Sequence, residues 1–336
     1  MIPPISQSAR AAATARQPTL TKPPGALGRL ETLAIDLAGI QDRALPRAET
    51  CQVLIAAGDH GVTQHGVSAY PSAVTAQMCL NFARGGAAVN VLARQAGATV
   101  RVLDVGVAEA LPDLPGLIRA KIALGTADFT TGPAMTAAQV TAALAAGAAA
   151  VDPGDLLILG EMGIGNTTAA AALVAAYARI SPTEACGRGT GIDEAGLARK
   201  IAVVEAGLTR HRHLLGDPQA TLAALGGLEI TALAGAAVRA AEQRTAVVVD
   251  GFISTAAALA AVAIEPAVRP YLIFAHRSAE AGHRLALAHL GAEPLLDLDL
   301  RLGEGTGGVL AVHLLRAACR TLAEMATFSA AGVSPE

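Results

Sequence analysis

Short β-branched runs alternate with alanine-rich stretches along most of this 336-residue chain. The runs at 52–57, 99–105, 155–160, 246–250 and 271–275 are almost wholly apolar, as strands are when both of their faces are buried. The stretches at 86–97, 136–149, 167–178, 194–213, 229–242 and 253–263 predict helices, because alanine is the best helix former and its small side chain permits close packing on a sheet. Strand and helix in turn predict an α/β protein with a parallel sheet flanked by helices. Two end segments break the rhythm. Residues 1–45 begin polar and mobile and then give an amphipathic helix near 26–37, while 306–325 gives another helix beyond the last strand-like run. Neither end has a strand to pack beside. The two are therefore expected to meet in a small helical subdomain, 1–45 plus 306–336, with 46–305 forming one large α/β domain.

Composition narrows the class of protein. Hydrophobic residues make up 52% and charged residues 16%, which supplies a core and excludes global disorder. Mean hydropathy is +0.46, yet alanine carries most of it, and no run approaches the ~20 strongly apolar residues of a membrane span. The longest uncharged stretch, 129–151, is interrupted by Thr, Gly, Pro and Gln, so no membrane partner is expected. With 25 basic against 28 acidic residues and 2% aromatics, nucleic acid is not expected as a partner either. The start of the chain has no charged segment followed by an apolar run, and Cys51, Cys79, Cys186 and Cys319 lie far apart without a CxxC pair. A reducing, cytoplasmic setting is the expectation.

Ligands of open α/β sheets bind beyond the carboxyl ends of the strands, so the segments there carry the candidate chemistry. At 160–173, GEMGIGNTTAAAAL places Gly163 and Gly165 in a tight turn with uncovered amides, and Asn166 and Thr167 open a helix whose N-terminus favours an anion. Gly160 and Gly165 have Walker A spacing, but Asn166 and Thr167 stand where Lys and Ser/Thr are needed. The dinucleotide fingerprint fails at Thr168. A monophosphate site is left, against the alternative of a plain strand-to-helix turn. Glu161 weighs against that alternative, since a carboxylate beside an anion cradle needs a hydroxyl or a cation to hold. At 57–71, Asp59, His60 and His65 form a weak metal pattern, and no metal is predicted. A loop covering a flat heterocycle through Ser68, Tyr70 and Gln77 fits better. In GRGTGIDEAGLARK, Asp193 is placed to cap a helix, and Lys200, two turns in, either reaches an anion or is solvated. Asp250 and Gly251 end one strand, where a carboxylate can hold ribose hydroxyls; His276 and Ser278 end the next, with a simple helix cap as the alternative for Ser278. Glu304 sits between Gly303 and Gly305 on a narrow loop. A buried carboxylate there suits a general base, and an exposed one is the alternative. His211 with His213, and His283 with His289, have no ligand-like spacing and read as surface or packing residues.

Eight separated motifs then fall into one order: KPPGALGRLE, GDHGV, GGAAVNVLARQ, GEMGIGNTT, GRGTG with Lys200 downstream, VVVDGF, HRSAE and RLGEGTG. In this the chain, over residues 22–322, resembles the nicotinate-nucleotide-dimethylbenzimidazole phosphoribosyltransferases. The resemblance implies a homodimer of Rossmann-like subunits, each with a large domain binding nucleotide and base and a small helical domain made from both chain ends. It also implies transfer of ribose 5-phosphate from nicotinate mononucleotide to 5,6-dimethylbenzimidazole, giving α-ribazole 5-phosphate and nicotinate for cobalamin, with no cofactor. By the same resemblance Glu304 matches the general base. Glu161, Gly163, Gly165, Asn166, Thr167 and Lys200 match the surroundings of the ribose phosphate. Asp250, Gly251 and Ser278 match positions near the nucleotide, and Ser68, Tyr70, Gln77 and Leu302 fall in segments lining the acceptor-base pocket. The acceptor is left open among benzimidazoles, purines and phenols. Two other readings share the fold: a dinucleotide-dependent oxidoreductase, against which the missing third glycine counts, and a non-catalytic nucleotide-binding protein, against which Glu304 counts.

Overall fold

The computed structural model describes residues 1–189 and 191–334; Thr190 of the GRGTG turn and residues 335–336 of the C-terminal segment lie outside them. Six parallel strands form a single sheet: β1 (Cys51–Gly58), β2 (Thr99–Gly106), β3 (Leu117–Arg119), β4 (Leu156–Met162), β5 (Ala246–Val249) and β6 (Leu272–Phe274). Their spatial order is β3-β2-β1-β4-β5-β6, with register pairs such as Ile55–Gly160 and Leu159–Val249. The chain winds outward from β1 on one side and from β4 on the other. That reversal opens a crevice above the carboxyl ends of the central strands, the usual ligand position in a Rossmann-like sheet. Every residue of β1, β4, β5 and β6 is buried, which is why those runs carry no alternating pattern.

Five of the six strands stand where the apolar runs predict them. β3 does not announce itself: it is a partly exposed three-residue edge strand after the Pro- and Gly-broken stretch 112–116, too short for any periodicity. The long predicted helices stand as Ala88–Ala96, Ala137–Ala149, Asn166–Ala178, Glu194–His211, Leu228–Glu242 and Phe252–Ile264. Asp193 does cap its helix, accepting from the Gly196 amide at 2.7 Å. Further helices occupy Ala73–Ala83, Pro218–Leu225 and Ala281–His289.

The expectation of a mobile start is corrected. Ser6 caps a helix Gln7–Arg16, whose buried Ala9 and Ala13 face the helix Arg29–Gln41, and the Tyr271 hydroxyl ties down the Pro3 carbonyl at 2.8 Å. Two buried alanines on one side are enough to seat this otherwise exposed, polar helix. Arg29–Gln41 packs in turn on the helix Thr306–Glu324, and Arg16 donates to the Leu322 carbonyl at 2.6 Å. The first turns of Thr306–Glu324 press on the sheet: a methyl group at Gly308 would stand 2.5 Å from the Ile158 side chain. This helix therefore carries the loop before it, with Glu304, onto the end of β4.

Candidate active site

Above β4, β5 and β6 lies a cavity of about 700 Å³. One wall is the end of β4 and the turn that follows. Gly160 carries no side chain because the Glu304 carbonyl oxygen would be 2.6 Å from its Cβ, so the Glu304 loop lies directly on the strand. At Gly163 a Cβ would stand 2.3 Å from the Gly58 carbonyl oxygen, which brings the ends of β1 and β4 into contact. Gly165 takes φ +93° at the start of Asn166–Ala178, and no side chain caps that helix. The Asn166 and Thr168 amides donate to the Gly163 and Gly165 carbonyls at 3.0 and 2.9 Å, and no side chain occupies the helix N-terminus, whose dipole attracts an anion.

Glu304 lines the same cavity as this turn. It is 7% exposed and adopts φ 64° between Gly303 and Gly305, which are also left-handed. Such a backbone conformation is unfavourable for a residue with a Cβ and persists only where the surroundings impose it. The Glu161 carboxylate supplies one constraint, accepting from the Glu304 amide at 3.2 Å and, through its other oxygen, from the Asn166 side chain. Asp250 supplies another, accepting from the Gly305 amide at 3.1 Å and the Gly308 amide at 2.8 Å. Burial, with the nearby Asp250 carboxylate adding to it, raises the Glu304 pKa to about 7. Burial likewise raises Glu161 to about 8, partly offset by the bonds it accepts. Three buried carboxyl groups therefore stand close together, and their titrations belong to the cluster.

The structure brings Tyr70, Glu161, Gly163, Asn166, Thr167, Gly251, Ser278, Leu302 and Glu304 to the lining of this one cavity. Gly165 shapes the turn behind it. Lys200 is fully buried, which lowers its pKa, and it donates to the Thr167 hydroxyl at 2.9 Å and the Gly187 carbonyl at 3.2 Å. The solvated alternative for Lys200 is excluded by this burial; its charge stands one residue behind the cavity wall. Asp250 also stands behind the wall, its oxygens bonded to the Glu304 loop. Ser68 accepts from the Tyr70 amide at 3.3 Å but is not in the lining, and Gln77 points outward while Val74 and Met78 of the same helix point in. The Asp59, His60 and His65 side chains diverge. Asp59 accepts from the Ala108 amide, His65 meets Asp128 at 2.9 Å, and His60 meets Glu229 at 2.7 Å. For His60 burial opposes the charge, but the Glu229 carboxylate outweighs it and holds the pKa above the ordinary value. His211 and His283 are buried packing residues bonded to the Phe129 carbonyl and the Thr255 hydroxyl.

Sequence reasoning missed Val74, Met78, Met162, Ile164 and Glu280, and it left His276 without a role; all line the cavity. Val74 and Met78 are four apart on one helix, but that spacing reads as core. Glu280 closes the HRSAE motif, but no residue type or spacing there gave it a role of its own.

The polar lining runs from Thr167 through Gly189, Glu280 and Ser278 to Gly251, while Val74, Met78, Met162, Ile164 and Leu302 offer an apolar surface for a flat ring. A family profile described as phosphoribosyltransferase matches residues 2–333. The nicotinate-nucleotide-dimethylbenzimidazole phosphoribosyltransferase of Roseiflexus sp. (strain RS-1) is 55% identical, over 99% of this chain and 96% of its own length. Its namesake in Azotobacter vinelandii is 53% identical, over 98% and 96%. The crystal structure of CobT from Thermus thermophilus superposes with a TM-score of 0.93 at 50% identity, covering 97% of this chain and 99% of that one. A fold match this close, at this identity and over nearly the whole chain, places the protein in the nicotinate-nucleotide-dimethylbenzimidazole phosphoribosyltransferase family.

Proposed function

We propose that this protein transfers ribose 5-phosphate from nicotinate mononucleotide to 5,6-dimethylbenzimidazole, giving α-ribazole 5-phosphate and nicotinate, a step in assembling the lower ligand of cobalamin. What carries the reading is one contact set: Glu161 bonds both the backbone of Glu304 and the side chain of Asn166, so the candidate base is fixed against the candidate phosphate turn.

The chemistry follows from that juxtaposition. The donor's pyridinium nitrogen is already positive, so the C–N bond breaks with its electron pair going to the ring, and no acid or metal is needed to expel nicotinate. Positive charge develops on the ribose as in glycoside hydrolysis. One imidazole nitrogen of the acceptor attacks from the opposite face, which inverts the anomeric carbon. The other nitrogen releases its proton to the Glu304 carboxylate. A base with a pKa near 7 is substantially ionised at neutral pH and still accepts a proton effectively. Glu161, at about 8, is mostly uncharged there and does not repel the phosphate. That resolves the oddity of an acid beside an anion site. Val74, Met78 and Leu302 present apolar surface to the acceptor, and holding both bases in line with the sugar supplies several kcal/mol through orientation.

The same proposal includes a homodimer and a cytoplasmic setting. Family resemblance supports the first, and four free buried cysteines support the second. Among the described residues no helix is long and apolar enough to cross a membrane. It also retains the division into 46–305 and a helical unit from 1–45 and 306–336, supported by the Leu20–Thr327 bridge and the Arg16–Leu322 bond. The test is to incubate the protein with nicotinate mononucleotide and a panel of benzimidazoles, adenine and phenols and identify products by mass. Nicotinate with α-ribazole 5-phosphate is expected. Absence of any base-exchanged product from folded protein overturns the proposal.

A further inference from the structure

We propose that His60 and Glu229 are positioning residues for the base exchange: the buried pair they form behind the cavity sets the turn Gly163–Gly165, and through it the Glu161 carboxylate that holds the Glu304 loop. This rests on the reading above and adds to it two residues that the chemistry itself does not touch.

His60 follows β1, and Glu229 stands in the first turn of the helix Leu228–Glu242. Their side chains are 1% and 0% exposed and meet at 2.7 Å, Nε2 to Oε1. Neither residue lines the cavity. Glycines from three segments make room for the pair. A Cβ at Gly227 would stand 2.5 Å from His60 Cε1 and 2.6 Å from Glu229 Oε2, and one at Gly58 would stand 3.1 Å from the same oxygen. The third segment is the turn itself. A Cβ at Gly163 would lie 3.4 Å from both Cδ2 and Nε2 of the His60 ring, and one at Gly165 would lie 3.4 Å from the His60 Cβ. His60 therefore lies directly beneath the turn. Thr63, whose hydroxyl donates to the His60 carbonyl at 2.8 Å, props Gly165 beside it, and the Thr75 hydroxyl accepts from the Ile164 amide at 3.1 Å.

Such a pair is a poor source of stability. Burying polar groups this deeply costs much of what their attraction returns, and Glu229 Oε2 has no hydrogen-bond partner among the described residues. Apolar side chains of similar size would fill the same space. What they would lack is direction. The bond to Glu229 fixes the rotation of the imidazole, and with it the edge that the ring presents to Gly163. On the far side of the turn the Asn166 amide donates to the Gly163 carbonyl at 3.0 Å, and the Asn166 side chain donates to Glu161. Glu161 in turn accepts from the Glu304 amide at 3.2 Å. An unbroken set of contacts thus runs from Glu229 through His60 and the turn to the candidate base. A small displacement of the turn moves Glu304 relative to the acceptor nitrogen without closing the cavity, and reactions that depend on alignment are sensitive to displacements of that size.

Steady-state kinetics on the full chain test this, with nicotinate mononucleotide varied at saturating 5,6-dimethylbenzimidazole and competent sites counted by calorimetric titration with the donor. His60→Phe fills the space but deletes the bond. It should lower kcat per site about 10- to 100-fold and leave the KM for nicotinate mononucleotide within about threefold. Glu229→Gln keeps an acceptor for the ring and should stay within about threefold of the unsubstituted chain in both constants. Glu229→Leu deletes the same bond from the other side and decides the matter if His60→Phe does not fold. An unchanged kcat per site in the bond-deleting variants, whatever happens to their melting temperature, overturns the proposal, because it marks a purely structural pair. So does failure of both to fold, which marks a pair that the fold itself needs. A raised KM with kcat unchanged marks a binding role and overturns it too, as does a loss in Glu229→Gln as large as in His60→Phe, which shows that the directed bond is not what sets the turn. No exchange by the unsubstituted chain overturns the transferase reading and this inference with it; exchange there with an unmoved kcat in the variants overturns this inference alone.

Discussion

Glu304 acquires its basicity from neighbours rather than from its own side chain. Burial and the Asp250 charge raise its pKa to about 7, and two flanking glycines let the backbone turn left-handed so that the carboxyl faces inward. Glu304→Gln should keep the fold and donor binding but cut turnover about 100- to 10,000-fold, as loss of a general base does. Near-normal turnover in that variant would remove the role. The pH profile should be bell-shaped. Activity rises as the carboxyl cluster releases a proton near pH 7 and leaves Glu304 able to act as base, and falls as the cluster releases a further proton near pH 8, when a new negative charge confronts the phosphate. Glu161→Gln should abolish the alkaline limb; a limb that persists there belongs to another group. The same carboxyl makes a stability prediction with a definite sign. Its folded pKa, about 8, exceeds its ordinary 4.5, so between those values the folded chain keeps a proton that the unfolded chain has released. Stability therefore falls as pH rises through that window, and Glu161→Gln should melt higher relative to the unsubstituted chain at pH 8 than at pH 5. Residue types and motifs such as RLGEGTG marked Glu304 and Glu161 from the sequence. The inward side of Ala73–Ala83 was not marked, because choosing Met78 over Gln77 requires knowing which way the helix faces.

Long helices and buried strands were legible because each repeats its pattern over a dozen or so residues or is wholly apolar. Short and edge elements were not. β3 has three residues, and the Gln7–Arg16 helix buries little beyond two alanines, so neither outweighs its polar surroundings in the sequence. What sequence could not assign is the closeness of helix packing. Ala137–Ala149 and Leu228–Glu242 touch backbone to backbone: a Cβ at Gly147 would be 1.7 Å from the Ala232 carbonyl oxygen, and one at Gly235 would be 2.1 Å from that of Leu144. Gly147→Ala must push these helices apart and should cost about 1–3 kcal/mol, the usual range for overpacking. A denaturant midpoint that does not move would show that the pair separates freely.

At the scale of the molecule, the order β3-β2-β1-β4-β5-β6 gathers segments more than 200 residues apart in sequence, from Tyr70 to Glu304, around one crevice. A ligand that bridges them should stabilise the whole chain. Nicotinate mononucleotide at 100 times its Kd is expected to add about 2.7 kcal/mol to unfolding, read as a rise in melting temperature. No rise at saturating concentration would mean that the cavity does not take the nucleotide. Chelation with EDTA should leave both melting and turnover unchanged, since the leaving group is already cationic and Asp59, His60 and His65 are committed to three different partners. Activity lost to EDTA and restored by zinc would reverse that. The sequence by itself determined the alternation of strand and helix, the class of fold and the motifs that carry the family, because these depend on local pattern and on residue type. Only the tertiary structure decided which side chains reach the cavity and which stand behind it. Lys200, Asp250, Gln77 and His276 differ in that respect through packing between distant segments, and so do the carboxyl pKa values, which arise from burial that no stretch of sequence contains.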